Sequence, residues 1–223
     1  MNTKAIQWQL LDDSKAVAHE ACQRILTLSQ QVIEQKGIFK IVLAGGSTPE
    51  QTYRLLKEAD SDWARWHIYY GDERCLPEDD ADRNSVMASR AWLDHLPSAQ
   101  KNYNIPAHLG AETAAHRYTE IVKKALPFDM VLLGMGEDGH TASLFPGHRH
   151  PKDELVHAVF NAPKPPPERV SLSVAALCNT SELLCLVTGA TKREAVARWQ
   201  RGENLPISQI HPATVLIDRA AFI

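Results

Sequence analysis

The sequence lacks the features that mark nucleic-acid-binding and membrane proteins. Its 24 basic and 27 acidic residues give a formal net charge of −3, and no block of like charge occurs. A surface for nucleic acid or anionic lipid would need a basic stripe. No apolar run approaches the ~20 residues of a membrane span, and the first residues lack the apolar segment of a signal peptide. We therefore expect neither a nucleic-acid nor a membrane partner.

Cysteine is also scarce and shows no ordered spacing. Cys22, Cys75, Cys178 and Cys185 form no CxxC pair and no metal-type cluster. Reduced thiols are typical of cytosolic proteins. We expect a cytoplasmic protein without a structural metal, and the sequence leaves its oligomeric state open.

The chain has 223 residues and 44% hydrophobic content, which suits one α/β domain over 1–223. Predicted strands and helices alternate along its length. A long helix is expected between Asp12 and Gly37, with one apolar face formed by Val17, Ala21, Ile25, Leu28 and Val32. The alternation predicts a doubly wound, mostly parallel, Rossmann-like sheet with helices on both faces. The proline-rich stretch "NAPKPPPERV" lies inside this alternation, so a stiff loop is expected there rather than a linker.

Four polar stretches follow predicted strands: "AGGSTPE", "GDER", "GMGEDGH" and "TGATKRE". Ligands of parallel α/β sheets bind beyond the carboxyl ends of the strands. These stretches are therefore expected at one edge of the sheet. "WHIYYGDER" is expected to be one strand that runs into an acidic loop.

The first stretch places Gly45, Gly46, Ser47 and Thr48 before a predicted helix. Glycines permit close backbone approach, and a helix amino terminus offers free N–H groups to a phosphate. The stretch matches neither a P-loop nor a dinucleotide fingerprint. Taken alone, the stretch is more simply explained as an ordinary glycine turn capped by serine or threonine.

Two basic residues occupy comparable positions. Lys192 lies near a helix start, where the helix dipole disfavours a cation unless an anion is bound. Arg169 begins a predicted strand, and its guanidinium can grip a phosphate with two hydrogen bonds. Solvated surface side chains are the alternative for both residues.

Asp72 and Arg74 follow another strand, where a held arginine can polarise a carbonyl group. A solvated, salt-bridged loop is the alternative. Asn84 begins the next predicted helix and is expected to cap it.

"GMGEDGHTASLFPGH" supplies the best candidate for a general base. His140 follows Asp138 by two residues, so a base and its orienting group lie together. Neither the GxSxG of a serine hydrolase nor the HExxH of a zinc hydrolase occurs. His148 and His150 are one residue apart on a predicted loop, which is weak evidence for a metal.

Taken together, these motifs resemble the 6-phosphogluconolactonase family and, more distantly, glucosamine-6-phosphate deaminase/isomerase. The resemblance runs through "LAGGSTPEQTYRLL", "GDERCLPEDDADRNS", "DMVLLGMGEDGHTASLFPG", "RVSLS" and "LVTGATKREA". Deaminases of this kind usually carry a glutamate before the proline of the histidine motif, where this chain has Phe145. They also tend to have an aromatic residue where "DER" has its arginine. Both differences favour the lactonase.

The resemblance implies hydrolysis of 6-phospho-D-glucono-1,5-lactone to 6-phosphogluconate without a cofactor. It implies catalytic roles for His140, Asp138, Arg74 and Asp72. It assigns the phosphate to Gly45, Gly46, Ser47, Thr48, Arg169 and Lys192. A deaminase/isomerase and a non-catalytic sugar-phosphate sensor remain as alternatives.

Overall fold

The computed structural model describes residues 6–96, 100–212 and 214–223. Its strands are β1 (Gln7–Leu11), β2 (Phe39–Leu43), β3 (Trp66–Tyr70), β4 (Asp72–Arg74), β5 (Lys101–Asn102), β6 (Phe128–Gly134), β7 (Val156–Val159), β8 (Arg169–Leu172), β9 (Thr180–Val187) and β10 (Thr214–Asp218). Its α-helices are α1 (Ser14–Lys36), α2 (Ser47–Lys57), α3 (Asn84–Ala91), α4 (Ala111–Ala125), α5 (Val174–Cys178), α6 (Arg193–Gln200) and α7 (Pro206–Ile210). Among the residues described, none of the helices is both long and apolar enough to span a membrane.

Seven strands form a sheet in the order β1-β10-β9-β6-β2-β3-β5. Every strand pair in this sheet is parallel. The predicted α/β fold with a mostly parallel sheet is confirmed. Strands β9, β6, β2 and β3 are direct neighbours, so the four polar stretches that follow them leave one edge of the sheet side by side.

A second sheet contains three antiparallel strands in the order β4-β8-β7. The expectation of one strand over "WHIYYGDER" is wrong, because β3 ends at Tyr70 and Asp72–Arg74 form a separate strand, β4, which pairs with β8. The chain turns between the two sheets at Gly71, whose amide donates to Leu43 while its carbonyl accepts from Leu172. The backbone groups of Asp72–Arg74 therefore find partners in a sheet instead of in water.

Helix α1 begins and ends at the predicted signals. Asp13 accepts a hydrogen bond from the amide of Ala16 at 2.8 Å, and Gly37 ends the helix with φ of 80°. Both are standard cap geometries. Of the expected core positions, all but Leu28 are buried; Leu28 is partly buried, and the neighbouring Ser29 faces the core.

An aromatic cluster lies under the turn that follows β2. The rings of Trp63, Trp66 and Trp92 lie 4.8–5.6 Å apart, and Tyr53 of α2 stacks on Trp92 at 6.0 Å. The buried Tyr53 hydroxyl donates to the carbonyl of Ala44 at 2.7 Å and accepts from its amide at 3.0 Å. The core thus fixes the backbone at the start of the glycine turn.

Asp129 joins three elements at the opposite end of the sheet. It lies on β6 with 1% of its surface exposed. Its carboxylate accepts from the Lys40 amide of β2 at 2.9 Å and from Lys36 Nζ at the end of α1 at 2.7 Å. A buried carboxylate without hydrogen-bond partners destabilises the folded protein, so both contacts help to hold Asp129 at this position.

We predict that Asp129→Ala lowers the free energy of unfolding by about 1–3 kcal/mol, since it leaves the Lys40 amide without its acceptor. Urea denaturation measures the change. Lys36→Ala is the matched control: the lysine side chain is 52% exposed, so its loss should cost less than about 1 kcal/mol. Equal losses in the two variants would contradict this account.

Candidate active site

A cavity of about 350 Å³ opens where the four polar stretches leave the sheet. Nine of the ten predicted site residues line it: Gly45, Gly46, Ser47, Thr48, Asp72, Arg74, His140, Arg169 and Lys192. The tenth, Asp138, lies behind His140. Residues almost 150 positions apart therefore meet around one space.

Two glycines shape the first wall. Gly46 has φ of 106° and immediately precedes α2, a conformation that favours glycine. A Cβ on Gly45 would lie 2.0 Å from Oδ1 of Asn84, so a side chain there would displace Asn84 from its contact with Asp72. The first amides of α2 have no partner within the helix. Because the two glycines before them carry no side chains, these amides are accessible to an anion in the cavity.

The Thr48 hydroxyl joins this turn to the turn that follows β9, and the Asp218 carboxylate holds that second turn. Thr48 Oγ1 lies 2.6 Å from Thr188 Oγ1. The Gly189 amide donates to both oxygens of the buried Asp218, at 3.0 and 3.1 Å. Lys192 follows this turn. Burial lowers the pKa of Lys192, and the nearby Glu137 carboxylate opposes that shift.

The turn that carries His140 is closed by its own hydrogen bonds. The Gly136 amide donates to the His140 carbonyl at 2.8 Å, and Thr141 Oγ1 donates to the Gly134 carbonyl at 2.7 Å. A Cβ on Gly136 would lie 2.0 Å from two atoms of the imidazole. Glycine at 136 is therefore required for the ring to lie where it does.

Asp138 bonds both the backbone and the ring of His140. Its Oδ1 lies 3.1 Å from the His140 amide and 2.5 Å from Nδ1. This contact assigns the ring proton to Nδ1 and leaves Nε2 as the basic nitrogen. Burial lowers the pKa of His140, and Asp138 offsets only part of that effect. Partial burial opposes ionisation of Asp138, but the hydrogen bonds from His140 outweigh it and its pKa is lowered.

Phe145 forms the floor beneath the histidine. Its buried ring lies 4.8 Å from the imidazole, centroid to centroid. The Arg169 guanidinium carbon also lies over this ring, 5.6 Å from its centroid. The side chain at this position therefore dehydrates His140 and carries no ionisable group.

Asp72 connects three parts of the site. One oxygen accepts from Asn84 Nδ2 at 3.0 Å and the other from Ser143 Oγ at 2.6 Å. The expected capping role of Asn84 is wrong, because the N-cap residue of α3 is Arg83 and Asn84 is its first helical residue. Its side-chain amide instead lies between Asp72, to which Nδ2 donates, and Gly45.

Sequence reasoning assigned no role to Glu73, which is fully buried. Its carboxylate accepts from the amides of Asn84 and Ser85 at 2.7 and 2.9 Å, and Arg83 lies 3.5 Å away. A carboxylate at a helix amino end is stabilised by the free amides and the dipole. Glu73 thus caps α3 from a distant strand, which no local sequence pattern signals.

The Arg74 guanidinium is hydrogen-bonded to the protein on one side, and the side chain also lines the cavity. Its Nη1 donates to the carbonyl of Asp82, in the acidic loop before α3. Its Nε is buried and, within the described residues, has no hydrogen-bond partner. The guanidinium therefore keeps donor capacity for a ligand.

Arg169 is largely committed to the proline-rich loop. Nε donates to the carbonyl of Pro166 at 3.2 Å, and Nη2 donates to those of Pro165 at 3.0 Å and Lys164 at 3.2 Å. This loop joins β7 to β8, and Lys164 lines the cavity. Lys164 was missed by the sequence analysis, which read its stretch only as a stiff connection.

Other binding chemistries find little support at this edge. "GMGEDG" matches the spacing of a dinucleotide fingerprint, yet a turn without a helix follows β6, so the required strand–turn–helix context is missing. Within the described residues, no three histidine, cysteine or acidic side chains are grouped to hold a metal ion. His150 is engaged with His157 at 3.1 Å and with the Phe145 carbonyl at 3.2 Å.

Known proteins match this chain over most of its length. A family model described as glucosamine-6-phosphate isomerases/6-phosphogluconolactonase matches residues 12–218. The 6-phosphogluconolactonase of Mycobacterium leprae is 36% identical over 212 residues, covering 87% of this chain and 85% of that one. The crystal structure of the Thermotoga maritima 6-phosphogluconolactonase is similar with a TM-score of 0.87 at 28% identity, covering 96% and 99% of the two chains.

A probable chloroplastic 6-phosphogluconolactonase of rice, Oryza sativa, is 32% identical over 207 residues. This match covers 84% of the present chain but only 63% of the rice protein. The resemblance inferred from the motifs is confirmed. The chain belongs to the glucosamine-6-phosphate isomerase/6-phosphogluconolactonase family.

Proposed function

We propose that the chain hydrolyses 6-phospho-D-glucono-1,5-lactone to 6-phosphogluconate, a step of the pentose phosphate pathway. The observation that carries this proposal is the Asp138–His140 pair on the wall of a cavity whose other walls include a helix amino terminus and a lysine. A general base and an anion-binding site in the same cavity are suited to the hydrolysis of an ester that carries a phosphate group. The names of the Mycobacterium leprae and Thermotoga maritima relatives support the same reaction.

The phosphate binds at the turn Gly45–Thr48 and at Lys192. Backbone amides at the start of α2 donate to its oxygens, and the helix dipole favours its charge. Arg169 supports the phosphate site indirectly, because its Nε and Nη2 are taken by the loop carbonyls. The phosphate thereby orients the lactone carbonyl toward His140.

Neutral His140 acts as the general base. Nε2 takes a proton from water while the water oxygen attacks C1 of the lactone, and the carbonyl becomes an oxyanion. When the tetrahedral intermediate collapses, the bond from C1 to the ring oxygen breaks. The imidazolium returns its proton to that oxygen, which becomes the C5 hydroxyl. Asp138 holds the tautomer and stabilises the imidazolium while it exists.

Arg74 stabilises the oxyanion, and Asp72 orients the substrate hydroxyls as well as the wall that carries Arg74. Positioned proton transfer contributes ~10²–10⁴ in rate, and one oxyanion donor contributes ~10²–10³. A lactone already hydrolyses in water, so these two effects suffice and no covalent intermediate is needed. No cofactor enters the proposed reaction.

Phe145 argues against the deaminase alternative. Ring opening of an amino sugar by the related deaminases uses a glutamate beside the histidine, and here an apolar ring lies 4.8 Å from the imidazole. Ammonia release from glucosamine 6-phosphate would reveal that activity. The intact Asp138–His140 contact likewise argues against a non-catalytic sensor, which has no need of an oriented base.

A cytoplasmic location fits this function. Cys22, Cys75, Cys178 and Cys185 are all free thiols, as proteins of a reducing compartment usually have them. We propose no nucleic-acid or membrane partner, and the substrate is a small sugar phosphate.

We predict that His140→Ala loses roughly 10²–10⁴-fold in kcat, because it removes the general base, and still binds the phosphorylated product. NMR of freshly prepared lactone measures turnover and separates the 1,5- from the 1,4-lactone. His148→Ala is the matched control, since His148 also contacts Phe145, at 5.7 Å, but does not line the cavity. Wild-type turnover in His140→Ala would remove His140 as the base.

The lowered pKa of His140 predicts the pH dependence of kcat. The base must be neutral, so activity should persist below the ordinary histidine pKa of about 6.5 and fall as the pH drops through the lowered value. Asp138 raises the pKa of His140; Asp138→Asn should therefore move the acid limb to still lower pH and reduce the maximal rate.

Glu137→Gln is the control for this profile, because Glu137 is exposed and makes no contact with His140. Its acid limb should coincide with that of the wild type. An acid limb of Asp138→Asn that moves to higher pH would contradict the assigned pair.

A further inference from the structure

We propose that Lys164 is a second phosphate-binding cation of this site and that Arg169 is the positioning residue that presents it. The inference rests on the proposed function, because it concerns the phosphate of the same substrate. It extends that function to the proline-rich loop, whose contribution the sequence did not indicate.

Lys164 is placed to meet a ligand anion. It lines the same cavity as the glycine turn and Lys192. Its side chain is 46% exposed, and its contact with Glu137 is long, at 4.0 Å, between two exposed groups. Exposed ion pairs of this kind contribute little free energy. The ammonium can therefore exchange Glu137 for a phosphate at small cost.

Arg169 fixes the backbone from which Lys164 projects. Its guanidinium donates to three successive carbonyls, those of Lys164, Pro165 and Pro166. The arginine itself is only 6% exposed, and Phe145 supports its face. A planar fork of donors makes this geometry rigid, and a lysine at 169 could not span the same acceptors.

The charges of site and ligand also agree. A phosphate monoester carries about −1.5 to −2 charges near neutral pH. Lys192 provides one positive charge and the amino end of α2 about half of one. These two sources supply about 1.5 positive charges, and Lys164 raises the total to about 2.5, enough to neutralise a full dianion. In the free protein the two lysines repel each other, and Lys164 adds to the lowering of the Lys192 pKa that burial causes. A bound dianion removes this repulsion.

Steady-state kinetics on 6-phosphogluconolactone test the cation. Lys164→Gln should raise KM roughly 10-fold or more, as expected for the loss of a charged hydrogen bond. Lys164→Arg should restore most of the affinity. Glu137→Gln breaks the same ion pair from the other side and should leave KM equal or lower. If Glu137→Gln raised KM as much as Lys164→Gln, the ion pair would matter rather than the phosphate contact, and the proposal would fail.

A double-variant cycle tests the positioning role. Arg169→Gln should raise KM, and Arg169→Gln combined with Lys164→Gln should raise it no further than the more damaging single change. Independent sites would instead multiply their effects. A multiplicative increase would show that Arg169 acts directly on the substrate and overturn its positioning role.

Calorimetry with inorganic phosphate separates this inference from the proposed function. The wild type should bind phosphate, and Lys164→Gln should bind it several-fold more weakly. Equal affinities, or no binding by the wild type, would overturn the role of Lys164. Phosphate binding that depends on Lys164, together with no lactone turnover by the wild type, would instead overturn the proposed reaction.

Discussion

The hydrogen bond between Asp138 and Nδ1 of His140 depends on a turn that admits only glycine at position 136. A methyl group there would overlap the imidazole. The same turn is closed by the Gly136 amide and by Thr141, so the ring position follows from backbone geometry rather than from side-chain freedom. The orientation of the ring leaves Nε2 free to accept a proton, and its burial against Phe145 lowers the pKa of His140. Each later step of the proposed reaction requires these two properties.

The location of the site followed from the sequence because it rests on local pattern and on a general rule of topology. Buried parallel strands appear as continuous apolar runs, and the polar stretches after β2, β3, β6 and β9 share an edge wherever these strands are neighbours. The α1 boundaries were predictable for a similar reason, since Asp13 and Gly37 act on adjacent backbone groups.

The supporting contacts could not be predicted, because they join residues without a fixed spacing. Glu73 caps a helix that begins eleven residues later, and Asn84 bridges Asp72 to the glycine turn instead of capping its own helix. Arg169 was assigned to a phosphate from its charge alone. Its hydrogen bonds to three carbonyls of the proline-rich loop depend on the fold of that loop, which charge does not indicate. The residues can be identified in the sequence, but their contacts in the folded protein cannot be predicted from it.

Phe145 shows how one position can separate two chemistries on a common fold. A carboxylate in its place would lie near the imidazole and raise the histidine pKa, because a nearby negative charge favours the protonated form. That arrangement suits proton transfer during ring opening of an amino sugar. An apolar ring excludes water, lowers the pKa and keeps His140 neutral. A base that activates water, as in the proposed reaction, needs the second environment, so the residue before Pro146 determines the proton chemistry that is available to His140.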